Sequence, residues 1–137
     1  SNIWRKSNNN GMIIFLEDND RWIEDLDDVY KVTYTTTLTE ADDLLKKYKL
    51  GDDSRLVIEL PDIVKNTKWD IIIVDAPAGN KSHFPGRMQS IYCAKNLASS
   101  GTKVLIHDCD RYVEDLYSKE LFGEDYIQLK KLRQYQI

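Results

Sequence analysis

The feature that most constrains this chain is Trp69-Asp70-Ile71-Ile72-Ile73-Val74-Asp75. Four consecutive β-branched apolar residues have no polar face to turn to water. Such a run predicts a strand covered on both faces, central in a parallel sheet. At 137 residues the chain fits one domain with a real core. The segments around it alternate in kind. Met12–Leu16 reads as a buried strand, followed by a helix capped by Asn19 or Asp20 and running to about Leu26. Val29–Tyr34 alternates and reads as a strand. Thr37 and Glu40 have capping-box spacing, with a helical stripe through Ala41, Leu44, Leu45 and Tyr48. Pro61 starts a brief helix to Asn66. Arg87–Ala98 is a helix stopped at Ser99-Ser100-Gly101, Thr102–Ile106 a second buried strand, Asp110–Lys119 a helix capped by Asp110, and Tyr126–Ile137 one or two terminal strands. The order predicts a mostly parallel, doubly wound α/β sheet.

Charge narrows the function. Nineteen basic against 23 acidic residues give −4, which excludes a dominant, sequence-independent phosphate-binding surface for nucleic acid. The longest apolar run is far short of the ~20 residues that span a bilayer. Cys93 and Cys109 are too few for a disulfide framework and read as buried thiols. Trp4, Trp22 and Trp69 read as packing residues.

Three predicted strands end in carboxylates, Glu17, Asp75 and Asp108. Ligands of open α/β sheets bind outside the carboxyl ends of the strands, so residues far apart in sequence can converge there. Glu17 suits the two hydroxyls of a ribose, or it caps the turn that follows. Asp75 and Asp108, with His107 and Asp110 nearby, offer hard ligands for a divalent cation, or one carboxylate serves as a general base. His107 also has a plain reading as a satisfied buried histidine. The loop Asp75–Arg87 is long and punctuated by Pro77, Gly79, Pro85 and Gly86. Arg87 at the next helix start is a receptor for an anionic substrate group, or the partner of a local carboxylate.

At these residues the chain resembles a known family. Phe15-Leu16-Glu17-Asp18-Asn19-Asp20-Arg21-Trp22-Ile23 is similar to its F-L-E-E-D-x-x-W-I segment, and Tyr34–Leu44 to Y-x-T-x-x-S-E-A-D-x-L. Lys68–Gly79 is similar to K-W-D-x-I-x-V-D-A-P-x-G. Phe84-Pro85-Gly86-Arg87-Met88-Gln89-Ser90-Ile91-Tyr92 is similar to A-P-G-R-M-x-x-I-Y, with Phe84 in place of the alanine. Val104–Arg111 is similar to V-F-V-H-D-x-x-R. The family is the plant glucuronoxylan 4-O-methyltransferases and their polysaccharide-biosynthesis relatives, and the motifs run in order from about Gly11 to Ile137.

The resemblance implies a Rossmann-like S-adenosylmethionine-dependent methyltransferase sheet in a single domain, residues 1–137. It implies methylation of the 4-hydroxyl of glucuronic acid side chains on glucuronoxylan in the Golgi lumen. Glucuronic acid on arabinogalactan is the alternative acceptor. Carried over by position, Glu17, with Asp18 beside it and Asp75, contacts the cofactor. Asp75 sits at the reacting centre, and His107 and Asp108 line the same cleft. Arg87, chosen for its charge, and His83 contact the acceptor sugar, and Asp75 with Asp108 holds a divalent metal if one is needed. The family's glycine-rich G-x-G-x-D-S segment precedes its F-L-E-E-D segment; here Ser1-Asn2-Ile3-Trp4 stands where it would be ending. A sheet without its first strand and glycine loop is therefore expected, with apolar edges on the neighbouring strands. That departure keeps a non-catalytic methyltransferase-like module in play. A nucleotide-sugar-binding domain lacks the glycine-rich phosphate cradle it would need.

Overall fold

A computed structural model describes residues 2–23 and 27–137. Mixed α/β architecture is built around two small sheets. Strands β1 (Phe15–Glu17) and β2 (Val29–Lys31) form a parallel pair, Phe15 opposite Val29 and Glu17 opposite Lys31. Strands β3 (Ile71–Val74), β4 (Lys103–Ile106), β5 (Ile127–Leu129) and β6 (Leu132–Gln136) form a second sheet in the order β3-β4-β6-β5. β3 and β4 are parallel, with Val74 opposite Ile106; β4–β6 and β5–β6 are antiparallel. Both sheets contain a parallel pair, but the larger one is mixed, because the C-terminal segment returns as a hairpin.

Helices cover one face of that larger sheet. α2 (Ala41–Lys49) buries Ala41, Leu44 and Leu45, with acids in its first turn and lysines in its last, as the helix dipole favours. The Glu40 carboxylate accepts the Thr37 amide at 2.7 Å, so the expected capping contact is present. α4 (Met88–Leu97) buries Met88, Ile91 and Tyr92, and α5 (Tyr112–Phe122) buries Val113, Tyr117 and Leu121. These residues meet Val74, Val104, Ile106 and Tyr135 in one core. The Tyr117 hydroxyl donates to the Ala41 carbonyl at 2.7 Å, tying α5 to α2. Buried Gln89 accepts from the Thr35 amide at 2.9 Å and donates to the Arg55 carbonyl at 3.0 Å, fixing α4 to the chain after β2. A short helix α3 (Asp62–Asn66) follows Pro61, and α1 (Asn2–Ser7) precedes β1.

Several expectations are corrected. Among the described residues β3 is an edge strand, paired with β4 alone, and Ile71 and Ile73 are 55% and 40% exposed on the side away from the core. Among the described residues the sheet is wound on one face only, so half of the Ile71–Val74 run has no cover. The first strand is Phe15–Glu17 rather than Met12–Leu16. After it, Asn19 caps a single 3-10 turn, Asp20–Trp22, and the rest of the expected helix, to Leu26, falls outside the described residues. Trp22 and Trp4 are exposed, whereas Trp69 is partly buried and donates to the Val64 carbonyl at 3.0 Å. Arg111, not Asp110, stands at the N-cap of α5; Asp110 pairs with Lys131 at 2.9 Å. Cys93 and Cys109 are free and buried, and burial pushes the Cys93 thiol up to about 11. None of the described helices is long and apolar enough to cross a membrane.

Candidate functional site

The parallel pair β3–β4 delivers its C-terminal residues side by side. Asp75 follows β3, and His107 and Asp108 follow β4, whose last residue pairs with Val74. The His107 amide donates to the Val74 carbonyl at 3.0 Å, extending the ladder by one step and fixing where the imidazole begins. His107 Nδ1 lies 3.1 Å from Asp75 Oδ1 and 3.2 Å from Asp108 Oδ1. One ring nitrogen thus faces two carboxylates. It donates to them when it carries a proton, and it stands with them as a ligand when it does not.

Asp108 has φ +59°, a conformation that costs a non-glycine residue about 1 kcal/mol. Two guanidinium groups hold it there: Arg87 Nη2 at 2.9 Å and Arg111 Nη2 at 3.0 Å, both on Oδ2. One oxygen is therefore fixed by cations and the other faces His107.

Arg87 does something other than the expected work. Its side chain is only 5% exposed. Nε donates to the Pro77 carbonyl at 3.2 Å, Nη1 to the His107 carbonyl at 2.9 Å and Nη2 to the Asp75 carbonyl at 2.9 Å. A guanidinium so enclosed is a clamp joining the two strand ends and the loop between β3 and α4. It is not an open receptor for a substrate carboxylate, and the sequence-based assignment is corrected accordingly. Gly86 makes the clamp possible. It adopts φ +70°, and a Cβ there would lie 2.6 Å from Met88 Sδ and 2.9 Å from Leu38 Cδ1. His83 is exposed, its ring tilted on Phe84 at 4.5 Å between centroids.

Glu17 ends β1 of the smaller sheet, with Asp18 next to it. Glu17 Oε1 accepts the amides of Asp18 at 3.1 Å and Asn19 at 3.0 Å, so it does cap the turn after β1. Among the described residues no hydrogen bond or ion pair joins Glu17 or Asp18 to the Asp75–His107–Asp108 group. Tyr34, just after β2, is one link toward α4: its hydroxyl accepts from Ser90 at 3.0 Å, beside the Thr35–Gln89 contact. Burial, with a contribution from the Asp18 and Glu17 charges, pushes that phenol up to about 12.

With this geometry in view, similarity to known proteins decides the family. The family model described as IRX15/IRX15L/GXM matches residues 1–135. The chain belongs to that family. It is 33% identical to glucuronoxylan 4-O-methyltransferase 1 of Arabidopsis thaliana, over 96% of this chain and 54% of that protein. It is 35% identical to arabinogalactan O-methyltransferase 2 of the same plant, over 90% of this chain and 52% of that protein. It is also 35% identical to protein IRREGULAR XYLEM 15 of that plant, over 86% of this chain and 45% of that protein. The chain thus spans about half the length of the curated relatives it matches. No solved structure matches it.

The structure adds two residues that the sequence reading did not single out. Arg111 joins the cluster through Asp108. Glu114, one helical turn later, is fully buried, and among the described residues neither carboxylate oxygen has a hydrogen-bond donor. Its nearest cations are Arg111 Nη1 at 3.8 Å and Arg87 Nε at 4.0 Å. Burial, only partly offset by the charges of Arg87 and Arg111, pushes its carboxyl above the usual range. The signal was present as Arg111-x-x-Glu114, an i,i+3 pair at a helix start directly after His107-Asp108.

Proposed function

We propose that this chain carries the acceptor-activating part of a Rossmann-like S-adenosylmethionine-dependent O-methyltransferase. Its substrate is the 4-hydroxyl of glucuronic acid on glucuronoxylan, with arabinogalactan glucuronic acid as the alternative acceptor, and its setting is the Golgi lumen. The observation that carries the reading is the Asp75–His107–Asp108 group at the ends of two adjacent parallel strands, in a family whose named members include methyltransferases of both polysaccharides.

Methyl transfer needs a hydroxyl held in line with an electrophilic methyl and relieved of its proton. S-adenosylmethionine, when bound, supplies a methyl on a sulfonium. Glu17, held at the end of β1 by two amides, is the residue to take the ribose hydroxyls, with Asp18 beside it. Asp75 is the exposed member of the cluster, its side chain 67% accessible, so it is the carboxylate that can reach an acceptor hydroxyl and take its proton. His107 shares that proton through Nδ1. Asp108, fixed by Arg87 and Arg111, keeps the imidazole in place. The donor set also fits a divalent cation. One ligand atom each from Asp75, His107 and Asp108 lie within 4.8 Å of one another, and carboxylate oxygen with imidazole suits a divalent ion such as Mn or Zn. Such an ion would lower the pKa of a bound hydroxyl.

The test is transfer of labelled methyl to unmethylated glucuronoxylan by the protein and by its Asp75→Asn variant. Full transfer by the variant removes the proposed centre. A second reading, a non-catalytic module in wall-polysaccharide synthesis, is favoured by the lack, among the described residues, of a hydrogen bond or ion pair between Glu17 or Asp18 and the cluster. Calorimetry with S-adenosylhomocysteine decides between the two readings, since only the enzyme reading requires binding.

A further inference from the structure

Beside the Asp75 cluster lies an open cavity of about 440 Å³, bounded by loop residues 79–82, by Leu38 and Thr39, and by Arg111. It continues into a space of about 290 Å³ reaching Asp42, Tyr112 and Glu114. We propose that this cavity is the seat of a uronic acid unit, with Arg111 and Lys81 as the cationic pair that receives its carboxylate. The proposal rests on the methyltransferase reading and deepens it.

Volume falls within the range of small-molecule sites, and the lining suits a sugar. Leu38 and Gly79 give apolar surface for a ring face, while Thr39, Asn80 and Ser82 carry hydroxyl and amide groups for ring hydroxyls. Both charged residues of the outer cavity are cations. Asp42, in the adjoining space, is engaged by the Tyr112 hydroxyl at 2.8 Å.

Arg111 is built into place. Asp108 holds Nη2 at 3.0 Å and Glu114 faces Nη1 at 3.8 Å. A guanidinium presents five N–H donors in a fixed fork. With a third of the side chain still exposed, it offers the remaining donors to a planar anion. This is the contrast with Arg87, whose donors are enclosed.

Independent support for a ligand comes from Glu114. It is a fully buried carboxylate that lines the inner space, has no hydrogen-bond donor among the described residues and stands against the guanidinium that faces the cavity. An unpaired buried polar group costs about 1–3 kcal/mol, so a hydroxyl-rich ligand seated there has a partner to satisfy. Gly79 leaves the room for it: a Cβ at that position would lie 2.9 Å from Glu114 Oε1 and 4.0 Å from Arg111 Nη1. Through Asp108, Arg111 also connects to His107 and Asp75, so the cavity and the reacting cluster share one ion-pair network.

The probe is a xylo-oligosaccharide carrying one unmethylated glucuronic acid, compared with the same oligosaccharide reduced at the carboxyl to glucose. Affinities by calorimetry and methyl transfer are measured for the full protein, Lys81→Gln and Arg111→Gln. Lys81 is exposed, so its variant reports on binding without disturbing the fold. The expected result is roughly tenfold tighter binding of the acidic probe by the parent protein, with that preference lost in both variants and the neutral probe unaffected. Transfer should show the same loss in KM. Equal binding of both probes by the parent protein overturns the subsite, and so does a preference that survives in both variants. If the preference and its loss are seen but no variant or parent transfers methyl, the subsite stands and the methyltransferase reading fails. If neither probe binds, the subsite fails, and the methyltransferase reading is then decided by S-adenosylhomocysteine binding.

Discussion

The two sheets of this protein are both founded on parallel pairs of short strands, yet they are held by different means. In the larger sheet, Val74, Val104, Ile106 and Tyr135 are buried against α4 and α5, and the hairpin β5–β6 closes one flank. In the smaller one, all six residues of β1 and β2 are partly or fully exposed, and the Arg5–Asp28 ion pair at 2.5 Å pins its approach. A two-stranded sheet is marginal in water, and packing rather than pairing stabilises strands. Chemistry that needs atoms held within a few tenths of an ångström therefore falls to the larger sheet, where Asp75, His107 and Asp108 sit. Glu17 sits at the end of a strand of the smaller one.

The sharpest way to break this comparison is to remove one carboxylate on each side. Asp75→Asn should lower methyl transfer by about 10²–10⁴, the usual weight of a positioned acid or base. It should leave thermal stability unchanged, because the side chain is solvent-facing. Glu17→Gln should weaken S-adenosylhomocysteine by about tenfold, one charge-assisted contact's worth, and leave the acceptor KM alone. An S-adenosylhomocysteine affinity unchanged in Glu17→Gln would remove the ribose role and leave the chemistry to the larger sheet alone.

Arg87 tests whether the larger sheet's order depends on polar clamping as well as packing. Arg87→Met deletes the donors to three carbonyls and leaves buried Asp108 and Glu114 short of a cation. Removing one partner of a buried pair costs about 3–5 kcal/mol, so chemical denaturation should show a loss of that size and transfer should fall with it. A variant that keeps its stability but loses only acceptor affinity would restore the carboxylate-receptor role first expected for Arg87.

What the sequence made legible was local. The capping contact of Thr37 and Glu40, the helical stripes of α2 and α4, and the strands at Ile71–Val74 and Lys103–Ile106 depend on residues within one or two turns of each other. The carboxylates at strand ends were legible for the same reason, and the structure brings Asp75, His107 and Asp108 together. Less legible was whatever depends on distant partners. An all-apolar strand reads as covered on both faces, but Ile71 and Ile73 lack cover among the described residues, and composition cannot say so. Arg87 at a helix start reads as exposed until the Pro77, His107 and Asp75 carbonyls are seen to surround it. The β5–β6 turn carries Lys130 at φ +56° without a glycine or asparagine, so its hairpin has no sequence flag.

Packing itself offers a direct comparison of the sheets. Ile106→Ala empties a fully buried site and should cost about 3 kcal/mol. Leu16→Ala, on a strand that is only partly buried, should cost about 1 kcal/mol, in line with partial loss of apolar burial. Native-state hydrogen exchange should rank the amides the same way, with β4 opening only at global unfolding and β1 opening well below it. Equal protection would mean that the smaller sheet is covered by more than the described contacts show.

The smallest effect concerns Glu114, and its sign is informative. Its carboxyl is pushed upward chiefly by burial, so ionisation works against the folded state. A group with a raised folded pKa gives stability that is present below its unfolded value and lost as pH rises through the folded one. The parent protein and Glu114→Gln, which removes the charge at nearly constant shape, should therefore differ least in acid. The variant should gain, by a few degrees in melting temperature, as pH rises from the ordinary carboxylate range near 4.5 toward neutrality. Adding the acidic oligosaccharide should narrow that gain, because a hydroxyl that reaches the inner space relieves the unpaired carboxylate. If the variant instead loses stability with rising pH, the Arg87 and Arg111 charges outweigh burial. Glu114 would then be a structural anion of the larger sheet rather than a group that is waiting for a donor.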